Sequence, residues 1–186
     1  TSIARDVTIH AHHRRLIRDQ VPIYVSNRED YTRRNRWAIQ ASHPTRARTR
    51  VTAMRLLIQR VNEASVRIDG EVVGAIDGGS LIFVAAGEGD TEEDLEYCVD
   101  KTVHLRIFVD DEGQMNRSLL DVDAEALVVP QFTLYGDVTN GRRPSFFEAM
   151  DPGPAKEMCD TFAERLRQEG VERIESGEFG ASMEVD

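Results

Sequence analysis

Asp69-Gly70, set between the short runs 64–68 and 71–73, restricts what this chain can fold into more than any other pair of residues. A two-residue loop of this composition closes a β-hairpin whose turn needs positive φ, so it fixes antiparallel pairing and register together. The run 56–61 reads as a further strand before it, and the domain therefore opens with β-structure. Gly78-Gly79 breaks the chain ahead of 81–86, an unbroken apolar stretch of strand length. Gly87-Glu88-Gly89 follows as a loop too sparse in glycine to count as phosphate-binding.

Helical periodicity appears twice. Thr91 with Asp94 makes a capping box, and Leu95, Cys98, Val99, Thr102 and Val103 recur at helical spacing, which predicts a helix over 92–104. Pro154, Ala155, Met158, Cys159, Phe162, Ala163 and Leu166 mark a second amphipathic helix ending at Gly170. Between and after them, 105–109, 126–134, 171–175 and 183–186 read as strands, and Asn140-Gly141 as a turn. Asp110-Asp111-Glu112-Gly113 lacks the glycine position and the distal Glu of an EF-hand, so it is expected to be a solvated turn. This order predicts an α+β fold, a β-rich sheet system with two helices rather than the alternating βαβ of a nucleotide fold.

Charge divides the chain near Met54. Residues 1–53 hold 11 Arg, no Lys and 4 acidic residues, for a net of +7, whereas 54–186 hold 12 basic and 29 acidic residues, for −17. A basic arm could bind RNA through its charge. The segment also lacks sustained periodicity and any cap, which points to a disordered or non-native leader ahead of a domain at 54–186. The acidic domain is unusual for a protein that meets nucleic acid, because phosphate contacts ordinarily use Lys and Arg. A salt-rich cytoplasm would account for it. No run approaches the roughly 18 apolar residues needed to span a bilayer, and no signal-peptide pattern opens the sequence. A cytoplasmic protein without membrane contact is expected.

Familiar hydrolase machinery is missing. Cys98 and Cys159 both fall on helical apolar stripes and read as small buried hydrophobes rather than a disulfide, metal ligands or a catalytic thiol. The domain's one histidine, His104, ends the first helix in an apolar setting and reads as structural; His10, His12, His13 and His43 lie in the leader. A Ser-His-Asp or Cys-His arrangement and a zinc site are thus not supported, and no metal or cofactor is expected. The most promising chemistry sits at 128–135, where an apolar strand runs into Gln131, Thr133 and Tyr135, separated only by Phe132 and Leu134.

That stretch, Val-Val-Pro-Gln-Phe-Thr-Leu-Tyr, joins four others in order: Met-Arg-Leu-Leu-Ile-Gln-Arg-Val at 54–61, Leu-Arg-Ile-Phe at 105–108, Gly-Arg-Arg-Pro-Ser-Phe at 141–146 and Phe-Gly-Ala-Ser-Met at 179–183. Together they resemble the D-aminoacyl-tRNA deacylases, also called D-tyrosyl-tRNA deacylases, over 54–186. The resemblance implies a barrel-like dimeric α+β domain of antiparallel sheets. It also implies hydrolysis of the ester of D-aminoacyl-tRNA at the tRNA 3′ end in chiral proofreading, extending to glycine on mischarged tRNA. Water would attack the ester while the terminal ribose 2′-hydroxyl assists and backbone N–H groups hold the oxyanion.

By the same resemblance Gln131, Phe132 and Thr133 line the catalytic pocket. Pro130 stands where the family's serine is typical, which removes a hydroxyl and an N–H. Thr133 is either a positioning residue, a nucleophile, or simply a threonine suited to a strand. Arg60 matches an arginine that braces a Gly-Pro element, with a surface salt bridge as the plainer alternative. Phe179 and Met183 match positions near the terminal-adenosine pocket, or else pack in the core. Arg142 and Arg143, the one adjacent basic pair in the acidic domain, are expected to touch the acceptor stem. The family's late Asn-x-Gly-Pro-x-Thr segment, which excludes L-amino acids, is not found up to Asp186, and Gly153-Pro154 opens a helix instead. A C-terminally truncated chain with reduced selectivity and weak dimerisation is therefore expected. The rival readings are a non-catalytic nucleic-acid-binding module on the same dimeric scaffold and a metabolic small-molecule binder.

Overall fold

The computed structural model describes residues 7–9, 23–26 and 54–186. The remainder of 1–53, its histidines included, lies outside the described residues, as does most of what was expected of the leader. Its two described strands, β1 (Val7–Ile9) and β2 (Ile23–Ser26), each occupy a sheet edge.

The domain begins with β3 (Arg55–Val61), β4 (Ala64–Ile68) and β5 (Glu71–Ile76). Asp69 and Gly70 connect the last two with φ of 52° and 85°, the paired left-handed conformation that this two-residue hairpin loop requires. The chain continues through β6 (Gly79–Ala85), α1 (Glu92–His104), β7 (Phe108–Val109), β8 (Met115–Arg117) and β9 (Glu125–Pro130). It closes with α2 (Pro152–Gln168), β10 (Ile174–Ser176) and β11 (Met183–Val185). At the start of α1 the Thr91 amide and hydroxyl both donate to the Asp94 carboxylate, at 2.9 and 2.8 Å, so the sequence's capping box is formed.

Two sheets face each other. One has the order β10-β9-β6-β3-β2 and the other β1-β11-β4-β5. Strands β6 and β9 are central and buried on both faces, which explains their uninterrupted apolar composition. Leu81, Phe83, Leu127 and Val129 point toward the second sheet and pack with Val66, Ile76, Met183 and Val185. Ile82, Val84, Ala126 and Val128 point the other way, onto Cys98, Val99 and Val103 of α1 and Cys159, Phe162 and Leu166 of α2. Both helices thus cover one face of the larger sheet. They also serve as crossovers, because β9 runs parallel to β6 and to β10, while β3 is antiparallel to β6. The α+β architecture holds with mixed pairing: parallel neighbours need a long connection, and each helix supplies one.

Three expected strands are shorter than the sequence suggested, and of 171–175 only the end is strand, as Ile174–Ser176. Over 105–109 only Phe108–Val109 pairs, because the Leu105 amide closes α1 on the Lys101 carbonyl and the Ile107 carbonyl is taken by Arg60. Strand β9 stops at Pro130, and Phe132–Tyr135 form a 3₁₀ turn. The Gln131 amide makes the last contact to β6, at 2.7 Å from the Val84 carbonyl, and the Gln131 carbonyl then accepts the Leu134 amide. His104 is exposed rather than in an apolar setting, its Nδ1 near the Asp100 carbonyl at 3.1 Å.

Candidate active site

The parallel pair β6 and β9 end side by side, with Val84 opposite Pro130. Beyond the carboxyl ends of such strands the sheet stops before the crossovers turn back, which leaves space for a ligand. A cavity of about 280 Å³ opens there. Its walls are Val84 to Ala86 of β6 and the turn after it, Pro130, Gln131 and Phe132 after β9, Phe146, Ala149 and Met150 from the 136–150 segment, the start of α2, and Phe179 to Ala181 with Met183. The lining is mainly apolar with a few polar groups, as small-ligand sites generally are. Phe132 meets Phe146 edge to face with centroids 5.0 Å apart, so the aromatic wall is braced across two segments.

Five of the sequence-predicted residues therefore converge: Pro130, Gln131, Phe132, Phe179 and Met183. Met183 is also a member of the core between the sheets, so packing and lining are one role here. Thr133 is exposed and does not line the cavity. Arg60 sits opposite Ser80, at the far end of β6 from the cavity, and its guanidinium donates to the Ile107 carbonyl at 2.6 Å. Arg60 thus has a carbonyl partner within its own chain. Arg142 and Arg143 are exposed in the 136–150 segment that brings Phe146 and Met150 to the wall, without lining it themselves.

The cavity holds one thiol, Cys159, and burial pushes it up to about 12; Cys98 behind it is raised to about 12 as well, first by burial and then by the nearby Asp90 and Asp94 charges. Neither is ionised near neutral pH, which removes thiolate attack from consideration. Among the described residues no three His, Cys, Asp or Glu side chains are grouped to hold a metal ion, and no helix is long and apolar enough to cross a membrane.

Sequence reasoning missed a buried polar group behind the wall. Arg55 lies 4.1 Å over the Tyr135 ring, donates to the Leu134 carbonyl at 2.8 Å and pairs with Glu148 at 3.3 Å. Tyr135 in turn covers Gly87 so closely that a Cβ there would stand 2.5 Å from the phenolic oxygen. Asp90 completes the group, its Oδ2 accepting the Gly87 amide at 2.6 Å. The only sequence trace was Tyr135 ending a polar-apolar alternation. Asp90 carried none.

Comparison with known proteins gives a consistent result. A family model described as D-Tyr-tRNA(Tyr) deacylase matches residues 57–186. The D-aminoacyl-tRNA deacylase of Halothermothrix orenii is 54% identical over 133 residues, which cover 72% of this chain and 89% of that protein. The enzyme of the same name from Thermomicrobium roseum is 55% identical over 132 residues, 71% of this chain and 85% of that one. Among solved structures, one described as c-Myc DNA Unwinding Element Binding Protein superposes with a TM-score of 0.67 at 38% identity, covering 70% of this chain and 88% of that one. A probable eukaryotic D-amino acid tRNA deacylase superposes with a TM-score of 0.62 at 21% identity over 72% and 92%, a likeness of fold.

Proposed function

The chain belongs to the D-Tyr-tRNA(Tyr) deacylase family, and from that premise we propose that the cavity at the ends of β6 and β9 is where it hydrolyses D-aminoacyl-tRNA in proofreading. The observation that carries this reading is the convergence of Pro130, Gln131, Phe132, Phe179 and Met183 on one pocket whose lining has no Ser, Thr, His or Lys and whose one thiol, Cys159, is held protonated by burial. In hydrolysis, water bonds to the acyl carbon and the ester C–O bond breaks. The departing ribose oxygen takes the proton, giving free amino acid and tRNA. The 2′-hydroxyl of that ribose assists, and N–H groups hold the developing oxyanion. Because the Gln131 amide already serves the Val84 carbonyl, the amide of Phe132, first in its turn and at the cavity wall, is the one left for that role. Phe179 and Met183 offer a ring face and a thioether to the terminal adenosine, and Arg142 and Arg143 meet acceptor-stem phosphates. Achiral glycine fits the same pocket. The protein acts as a cytoplasmic homodimer in this reading.

A second reading, nucleic-acid binding without hydrolysis, is favoured by the name of the 38% identical neighbour, which refers to DNA binding. Incubation with D-tyrosyl-tRNA and L-tyrosyl-tRNA separates the two. Release of D-tyrosine well above the buffer rate, and faster than L-tyrosine, is expected. Binding of both substrates with no release of either sinks the hydrolase reading.

A further inference from the structure

The polar group behind the cavity touches two of its walls. Asp90 is only 8% exposed, and its carboxylate folds the 87–90 loop by accepting the Gly87 amide at 2.6 Å, while the Asp90 amide donates to the Gly87 carbonyl at 3.1 Å. That loop holds the Ala149–Met150 side of the pocket. Gly87 bridges Ala149, the Glu88 amide donates to the Glu148 carbonyl at 2.9 Å, and the Met150 amide donates to the Ala86 carbonyl at 3.0 Å. The Tyr135 hydroxyl also acts on the Asp90 carboxyl as a hydrogen-bond donor. Tyr135 ends the turn whose other end is the pocket wall at Gln131 and Phe132, and Arg55 clamps the same turn through the Leu134 carbonyl. The second carboxyl oxygen, Oδ1, is buried and accepts no hydrogen bond.

We propose that Asp90 is a positioning residue whose protonation state, acting through the Gly87 amide and the Tyr135 hydroxyl, sets where Gln131 and Phe132 stand in the pocket wall. As a carboxylate it accepts both donors and keeps the loop and the turn joined. A proton on Oδ2 would compete with those donors, and a proton on Oδ1 would be a buried O–H without an acceptor. In either case Oδ2 changes from a charged acceptor to a weaker neutral one or to a competing donor, and the seat of Tyr135 loosens. The charges facing Asp90 are Asp94 from α1 and Arg55 from β3, with Tyr135 from the turn and the neutral Cys98 thiol beneath. Burial is the dominant influence and Asp94 adds to it; Gly87, Tyr135 and Arg55 oppose them, leaving the carboxyl raised from 3.8 to about 6, where a proton can be taken up under mild conditions.

The role in catalysis rests on the hydrolase reading, so the test has a readout that does not need turnover. Backbone amide resonances of Gly87, Gln131 and Phe132 in the full chain are followed by two-dimensional NMR between pH 4.5 and 8, for the protein as it is, Asp90→Asn and Tyr135→Phe. A common midpoint near pH 6 is expected at all three amides, absent in Asp90→Asn. In Tyr135→Phe, which loses a donor to the charged form, it should move to higher pH. That shift keeps the test decisive if Asp90→Asn does not fold. Titration of Gly87 with Gln131 and Phe132 unmoved, or an unchanged midpoint in Tyr135→Phe, overturns the proposal. With D-tyrosyl-tRNA, the same break should appear in kcat/KM and vanish in Asp90→Asn; a break that persists there also overturns it. Absence of hydrolysis at every pH refutes the hydrolase reading while the NMR result still decides the role of Asp90.

Discussion

Thr133 separates a nucleophile from a scaffold at the level of single residues. It is exposed and outside the cavity lining, so Thr133→Ala should retain most of the hydrolysis rate measured on D-tyrosyl-tRNA. Loss of a covalent nucleophile would instead lower kcat by something on the order of 10⁶. Asp90 makes a prediction about stability with a definite sign. Its folded-state pKa is raised from 3.8 to about 6, so its contribution to stability is complete below about pH 4 and is lost as pH rises through about 6. Asp90→Asn should flatten the change in melting temperature across that window, and an unaltered pH profile of Tm would contradict the assignment. The charged form that seats Tyr135 is thus also the form that burial disfavours. Gln131 was legible as a cavity residue because a polar group at the end of a buried strand stands out in the sequence, and Phe132 through the family resemblance. Asp90 was not, since its burial arises only when Tyr135 and α1 close over a loop that reads as solvent-facing.

Among the elements, both helices were legible because a 3.6-residue apolar period and a capping box are local properties. The Asp69-Gly70 hairpin was legible for the same reason. The parallel partnership of β6, β9 and β10 was not, since neither strand's composition names its neighbour; the two helical crossovers impose it. Strand ends were harder still. Pro130 was read as the loss of a hydroxyl and an N–H within a strand reaching 134, whereas β9 ends at Pro130 and the chain passes through Gln131 into the turn Phe132–Tyr135. The seat of α2 provides a test at this scale. Phe162 is fully buried in the core beneath the larger sheet, so Phe162→Ala should cost about 3–5 kcal/mol. For a domain of this size that lowers Tm by roughly 10 °C or more. A thermal melt shifted by only a degree or two would mean that α2 does not anchor the sheet as described.

For the molecule as a whole, charge sets a problem that the fold answers locally. A domain of net −17 over 54–186 repels a polyanion at long range, and attraction must come from a confined basic feature. Arg165, Arg167 and Arg173 are engaged with Glu92, Glu164 and Glu125. Arg60 and Arg106 donate to the carbonyls of Ile107 and Asn116. Arg142 and Arg143 instead stand exposed on the segment that also supplies Phe146 and Met150 to the cavity. Their place on that segment, rather than the protein's net charge, would place the tRNA end. Reversing both to Glu should weaken tRNA binding across sequences and lower the slope of log affinity against log salt by about 1 for every phosphate that an arginine no longer neutralises. Release of D-tyrosine at saturating substrate should change less than affinity does, because neither side chain lines the cavity. A double variant with an unaltered salt slope would remove these arginines from the RNA path and leave the acidic domain without its docking point.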